Sequence, residues 1–267
     1  GFVPAAAFVA PLCALIIVQP DLGTSLFVGM LGFIVLIAGG LRFKHLAICA
    51  GAVMPIVLSL MFFKFDHVKT RIEVFLDPAA DPLGKGHQIL QSWTALGSGG
   101  FTGKGLGEST QKLFYLPEEH TDFIYAILVE ETGFVGGGVV ILLFLALIYA
   151  GHRVSKHAPD RFGALLAMGM TLSLVLQAAM NLAVVTGAVP TKGISLPLIS
   201  YGGTGLVVAL MQVGVVLSVA RQAVSRSDVL KLAAIDAREA TQISRRGISI
   251  APGLSANHIS GPAPRPL

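Results

Sequence analysis

The sequence predicts an all-α fold, a polytopic bundle of transmembrane helices, from three observations. Hydrophobic residues make up 54% of the 267 residues and charged residues only 13%, and the mean hydropathy is +0.75, well above the balance of a soluble domain. Apolar runs that can cross a roughly 30 Å hydrocarbon layer recur between short polar breaks. These runs are apolar throughout, whereas the strands of a membrane barrel alternate. The six predicted spans are residues 4–18, 22–40, 46–63, 122–150, 162–185 and 201–220.

Basic residues after the second, fourth and sixth spans predict how the chain crosses the membrane. The positive-inside rule places these span ends in the cytoplasm. The chain therefore divides into three helices (1–63), a long structured outer loop (64–121), three more helices (122–220) and a cytoplasmic tail (221–267). The composition of the tail predicts disorder over most of its length. The basic clusters are Arg42, Lys44 and His45, then His152, Arg153, Lys156 and Arg161, then Arg221, Arg226 and Lys231.

Charge and cysteine content exclude several other classes of protein. The net charge is +4, but the basic residues flank spans or lie in the tail, so they indicate topology and no nucleic-acid partner is expected. Cys13 and Cys49 both lie in apolar runs, which is typical of core residues and not of a disulfide framework or metal cluster. The chain opens at Gly1 with neither an initiator Met nor a signal peptide, so we expect a piece of a longer protein.

Ionisable residues at the start of the fourth span are the first candidates for chemistry. A helix over 122–150 would be roughly 43 Å long, more than the hydrocarbon layer requires. Its first turns, with Asp122, Glu130 and Glu131, should lie at the outer edge of the membrane or line a cavity there, where charged groups are usually functional. The alternatives are that Asp122 caps the helix, and that the glutamates are interfacial charges or interhelical hydrogen-bond partners.

Polar residues recur in and after the fifth span. Ser173, Gln177 and Asn181 are four residues apart, so they share one helix face, for which we expect interhelical hydrogen bonds. The connection at 190–203 is rich in helix breakers and predicts a re-entrant turn packed against protein. Lys192 in this connection offers a cation on the outer face, or else anchors the chain at the interface by snorkelling.

The outer loop should be ordered despite its length, because apolar anchors are spread among its turns, and a long ordered loop is usually functional. Its glycine-rich stretch, 97–107, follows no predicted strand and lacks the Gly-Lys-Ser/Thr ending of a phosphate-binding loop, so it predicts turns. The expected anchors are Phe75, Leu76, Trp93, Phe101, Phe114 and Tyr115.

Four motifs occur in order along the chain. The first is Q-P-D-L-G-T at 19–24, and the second, at 75–91, contains Asp-Pro, Gly-x-Gly and Gln-x-x-Gln. The third, at 116–133, contains His-Thr-Asp, and the fourth is L-P-L-I-S-Y-G-G at 196–203. In these motifs and their spacing, the chain resembles the FtsW/RodA/SpoVE family of shape, elongation, division and sporulation proteins. The tetrapeptide P-T-K-G at 190–193 resembles the division and sporulation branch more than the elongation branch.

The resemblance implies a fold of ten transmembrane helices, of which this chain holds the last six. The family's Q-P-S-E-x-x-K motif, whose Glu and Lys line the same cavity in relatives, does not occur in this sequence. We therefore expect the chain alone to be inactive.

The resemblance also implies an enzyme, a peptidoglycan glycosyltransferase that polymerises lipid II into glycan strands, with Asp122 of His-Thr-Asp as its catalytic general base. A carboxylate takes the proton of the acceptor hydroxyl as that hydroxyl attacks the anomeric carbon. One carboxylate suffices, because undecaprenyl pyrophosphate leaves without protonation. Its charge calls for a cation, from Arg71, Lys192, the upstream Lys or a divalent metal, and these alternatives stay open. No other cofactor is implied. The residues expected to contact the substrate are Arg71, Gln88, Gln91, His120, Glu130, Glu131, Lys192, Ser200 and Tyr201.

The partners implied by the resemblance are a class B penicillin-binding transpeptidase and other membrane proteins of the division machinery, in the bacterial inner membrane at the septum. Two other functions stay open, a lipid II flippase and a non-catalytic scaffold. A transporter would place polar groups on broken helices near the bilayer midplane. The acidic group here is expected at the outer edge, which favours chemistry on an outward-facing substrate.

Overall fold

The regular secondary structure in the part of the chain that the structure describes consists of helices. The computed structural model describes residues 2–19, 21–41, 51, 66–82, 84, 86–111 and 121–245, and no strand occurs among them. The predicted all-α class is confirmed. The helices are α1 (Phe2–Val18), α2 (Leu22–Ala38), α3 (Asp66–Leu76), α4 (His87–Ser98), α5 (Ile124–His157), α6 (Arg161–Val185) and α7 (Gly203–Arg245), with a 3₁₀ turn at Pro78–Ala80.

Several of these helices agree with the predicted membrane spans. Among the described residues, three helices are long and apolar enough to cross a membrane by length and composition. They are Ile124–His157, Arg161–Val185 and Gly203–Val224, and Gly23–Ala38 is a shorter apolar helix. α1 covers the first predicted span. The third, 46–63, lies outside the described residues except for Gly51.

The chain divides into two compact units, Gly1–Arg221 and Gln222–Leu267. In the second unit the described residues are helical as far as Arg245. The remainder of the tail, where disorder is predicted, lies outside the described residues.

α1 and α2 pack together through small and polar groups. Cys13 is a free thiol, and its main-chain carbonyl accepts a hydrogen bond from Ser25 Oγ at 3.1 Å. Asp21 caps α2 by accepting from Thr24 N at 2.9 Å and from the Thr24 hydroxyl. The acidic residue of the Q-P-D-L-G-T motif is therefore the N-cap of α2. Cys49 lies outside the described residues.

The main hydrophobic core lies where α4, α5 and α6 meet. α4 buries Ile89, Ser92 and Ala95 on one face, and Ser92 Oγ donates to Val185 O at 2.8 Å. This helix therefore ties the outer loop to the end of α6. The buried core residues are Ala95, Phe123, Tyr125, Ala126, Ile127, Val129, Val140, Phe144, Ala178, Val184, Val185 and Leu196.

The apolar anchors predicted for the outer loop differ in their contacts. Trp93 packs over Gly187, where a Cβ would lie 2.6 Å from the indole ring. Leu76 is 75% exposed, and Phe101, 77% exposed, rests edge-on against the ring of Phe134. Phe114 and Tyr115 lie outside the described residues.

α5 is broken at Gly133, which corrects the prediction of one unbroken helix from Asp122. Helix α5 begins at Ile124, and Gly133 has φ 71° and ψ −172°, a conformation that L-residues with a Cβ rarely adopt. A Cβ there would overlap the main chain at Phe101 and Gly103. The break divides α5 into a short helix (residues 124–132) and a long helix (residues 134–157). The long helix alone, roughly 36 Å, covers the hydrocarbon thickness.

Candidate active site around Asp122

Asp122 lies half-buried in the turn immediately before α5. The N-cap position is taken by Phe123, whose side chain makes no capping hydrogen bond. Asp122 precedes the N-cap, and its carboxylate lies toward the connection after α6, because a Cβ on Gly193 would lie 3.0 Å from Asp122 Oδ2.

Two side chains hold the main chain around Asp122. Asn181 is fully buried, and its Nδ2 donates to Asp122 O and to Ile194 O, each at 2.6 Å. The Ser200 hydroxyl donates to Thr121 O at 2.6 Å. The carboxylate therefore projects from a backbone that both α6 and the turn before α7 fix in place.

The polar face predicted on α6 makes hydrogen bonds to other elements. Gln177 Nε2 donates to Ser195 O at 3.0 Å, and Ser173 Oγ accepts from Gln212 Nε2 of α7 at 3.3 Å. Only the bond of Ser173 joins two helices as expected, because Gln177 and Asn181 donate to main-chain carbonyls in the connections at 194–195 and at Asp122.

Lys192 contacts the Q-P-D-L-G-T motif at 19–24. Its half-buried side chain lies against Gly23, where any Cβ would overlap the lysine methylenes. Gly23 belongs to Q-P-D-L-G-T, while Gly193, next to Lys192, faces Asp122. The stretch at 190–193 therefore contacts two motifs that are far apart in the sequence, at Gly23 through Lys192 and at Asp122 through Gly193.

A cavity of about 420 Å³ opens beside Thr121, between α6 and the first turns of α7. It contains two of the predicted substrate contacts, Ser200 and Tyr201, and Tyr201 is 83% exposed. Asp122 is not among the residues that line this cavity, which reaches the turn before α5 only at Thr121. The polar residues in its lining are Thr121, Gln177, Ser195, Ser200, Tyr201, Thr204 and Gln212.

The remaining predicted contacts belong to α5, to α4 or to residues outside the described part. Glu130 and Glu131, both buried, are at the far end of the short helix, separated from Asp122 by about 12 Å of helical rise. Gln88 and Gln91 lie in the first turns of α4 and are half-buried. The side chain of Arg71 and the whole of His120 fall outside the description.

No group of three or more His, Cys, Asp or Glu side chains that could hold a metal ion occurs in the described part of the chain.

Asn181 was expected to bond between helices but was not predicted as part of the site. The signal was present in the sequence, because Asn181 is the last polar residue on its helix face, one turn before α6 ends. What the spacing could not show is that its acceptor is the main chain of Asp122.

The sequence matches the family model FTSW_RODA_SPOVE, described as a cell cycle protein, over residues 1–225. It is 45% identical over 219 residues to the probable peptidoglycan glycosyltransferase FtsW of Geobacter sp. (strain M18), covering 82% of this chain and 59% of that relative. It is 43% identical over 221 residues to stage V sporulation protein E of Bacillus subtilis (strain 168), covering 83% and 60%. The chain thus spans about three fifths of the length of these curated relatives.

Two solved structures have a similar fold. One, described as a peptidoglycan synthase complex that coordinates polymerization and crosslinking, matches with a TM-score of 0.66 and 28% identity, covering 83% of this chain and 62% of the other. The rod shape determining protein RodA of Thermus thermophilus matches with a TM-score of 0.53 and 27% identity, covering 82% and 56%. Sequence and fold agree, and the chain therefore belongs to the FtsW/RodA/SpoVE family of cell cycle proteins.

Proposed function

We propose that this chain is the part of a peptidoglycan glycosyltransferase that carries the general base, and that the base is Asp122. The observation that carries the proposal is the approach of Asp122 Oδ2 to Gly193, beside Lys192, whose own side chain lies on Gly23. The carboxylate and the cation of the proposed mechanism thus approach two neighbouring parts of the chain, at Gly193 and at Lys192. The names of relatives support the reaction class, since FtsW of Geobacter and MrdB of Escherichia coli (strain K12) are both called peptidoglycan glycosyltransferases.

The proposed chemistry needs few groups. The oxygen of an acceptor sugar hydroxyl forms a bond to the anomeric carbon of the donor, and the bond from that carbon to the lipid pyrophosphate breaks. The hydroxyl proton passes to the Asp122 carboxylate. The bonding electron pair leaves with the pyrophosphate, whose developing charge the Lys192 ammonium stabilises. Because pyrophosphate is a good leaving group, no second carboxylate is required as an acid.

The substrate, partner and location belong to the same proposal. The substrate is lipid II, the partner is a class B penicillin-binding transpeptidase, and the location is the division septum. Support comes from a relative described as a sporulation protein and from the similar fold in a complex that coordinates polymerization and crosslinking.

The test is Asp122→Asn in the full-length protein, with glycan strands made from labelled lipid II resolved on gels. The substitution keeps the shape of the side chain and removes its basicity, so polymerisation should fall at least about a hundredfold. The matched control is Glu73→Gln, which neutralises an exposed carboxylate in α3 and should leave activity unchanged.

Near-normal strands from a well-folded Asp122→Asn protein would remove Asp122 from the mechanism. A flippase or a scaffold would then become the better description. Loss of activity in Glu73→Gln as well would show that the assay responds to any lost charge.

A further inference from the structure

The break at Gly133 is filled by the glycine-rich loop, defined here as residues 99–111. In an unbroken helix, the Glu130 and Glu131 carbonyls would accept from the N–H groups of Phe134 and Val135. At the break the loop supplies a donor for each carbonyl and an acceptor for each N–H, so it replaces both helical hydrogen bonds. The replacements are Lys104 N to Glu130 O at 3.0 Å, Gly105 N to Glu131 O at 3.0 Å, Phe134 N to Gly100 O at 2.9 Å and Val135 N to Phe101 O at 3.3 Å.

The side chain of Glu130 makes a second connection to the same loop. Its carboxylate is fully buried, and Lys104 Nζ lies 2.6 Å from Oε1. A buried charge is tolerated only when it is paired and hydrogen-bonded, and here the donors come from a single stretch of chain. The other donors are Ser98 Oγ at 3.3 Å, Ser109 Oγ at 2.5 Å, Thr110 Oγ1 at 2.8 Å, Thr110 N at 3.3 Å and Gln111 N at 3.4 Å.

The short helix is therefore fixed at both of its ends. At its start, Asn181 and Ser200 hold the carbonyls of Asp122 and Thr121. At its end, Glu130 holds the glycine-rich loop. The short helix is nine residues, roughly 13 Å, so a shift of its end is transmitted to the turn that carries Asp122.

We propose that Glu130 is a positioning residue for the glycosyl transfer, acting with Lys104 as one unit that sets the register of the short helix and so the place of Asp122. This inference rests on the proposed function of Asp122. In this role Glu130 does not contact the substrate. The sequence predicted Glu130 as a substrate contact, but its side chain is completely buried.

The test is a double-mutant cycle on Lys104→Met, Glu130→Gln and the double variant in the full-length protein, with turnover and KM for lipid II measured separately. Each single variant should lower the turnover number about tenfold, because a displacement of well under 1 Å at a reacting group is enough. The double variant should be no slower than the slower single variant, and KM should stay within about twofold. Lys104→Arg, which keeps the charge, should restore most of the turnover.

Exposed Glu108 in the same loop provides the matched control, and Glu108→Gln should behave as wild type. Losses that multiply in the double variant, a change confined to KM, unchanged turnover, or a loss that only follows unfolding in a thermal melt would each overturn the inference. If Asp122→Asn is inactive while both Glu130 and Lys104 variants turn over normally, this inference alone fails. If Asp122→Asn is active, the proposed function fails first.

Discussion

At the scale of single residues, the position of Asp122 depends on side chains that bond to its main chain. The side-chain amide of Asn181 donates two hydrogen bonds to main-chain carbonyls, one to Asp122 and one to Ile194. The spacing of polar residues on α6 predicted the bonding face but could not identify the acceptors, because those lie 13 and 59 residues away in the sequence. The same limit applies to Asp122, for which the sequence context also predicts a helix cap.

Replacing Asn181 should therefore destabilise the protein more than replacing Gln177. Asn181→Leu leaves two carbonyls without a donor in a fully buried place, at an expected cost of about 1–3 kcal/mol. Gln177→Leu removes a donor to Ser195 from a half-buried place, where bonds between membrane helices average only about 0.6 kcal/mol. Unfolding in detergent, followed by temperature or denaturant, measures both. Equal costs would show that burial of Asn181 adds nothing.

At the scale of elements, the broken helix α5 shows what sequence patterns miss. The long apolar run correctly predicted a helix in the region of α5. It did not predict the break, because a glycine inside a helical pattern is usually tolerated. The partner that makes the break possible is the glycine-rich loop, and its bonds to α5 join residues 26 to 34 positions apart. The loop itself was predicted as turns, and its glycines at 100, 103, 105 and 107 do have positive φ.

Alanine substitutions along α5 should distinguish the break from ordinary helix. Gly133→Ala forces a Cβ into a positive-φ position and against the main chain of the loop, which should cost at least about 2–3 kcal/mol. Gly138 is helical and a Cβ there meets nothing within 4 Å. Gly138→Ala should be neutral or stabilise by up to about 1 kcal/mol. Comparable melting temperatures for the two variants would argue against the break.

At the scale of the whole molecule, the sequence predicted the fold class, the membrane helices and the family. Hydropathy suffices for the helices, because the membrane demands long apolar runs whatever the packing. It could not predict that motifs at 19–24, 116–133 and 190–193 meet. That convergence depends on close approaches at Gly23 and Gly193, which leave no trace in hydropathy.

The basic clusters predict the sidedness of the chain, with the outer loop outside the cell and the residues after Arg221 inside. Single cysteines at exposed Thr102 and at Ser227, in an otherwise cysteine-free full-length protein, test this. An impermeant thiol reagent on intact spheroplasts should label Thr102→Cys at once and Ser227→Cys only after permeabilisation. The reverse order of labelling would invert the topology.

The replacement of two helical hydrogen bonds by the glycine-rich loop has a consequence for hybrids between relatives. The main chain of the glycine-rich loop forms hydrogen bonds with the main chain on both sides of Gly133. A loop taken from another family member must form the same bonds, so it cannot be shortened or exchanged freely. The transferable module includes residues 99–111 together with the stretch around Gly133. A graft that moves one without the other leaves main-chain donors and acceptors of the host unmatched around Gly133, which is buried together with Glu130 and Glu131.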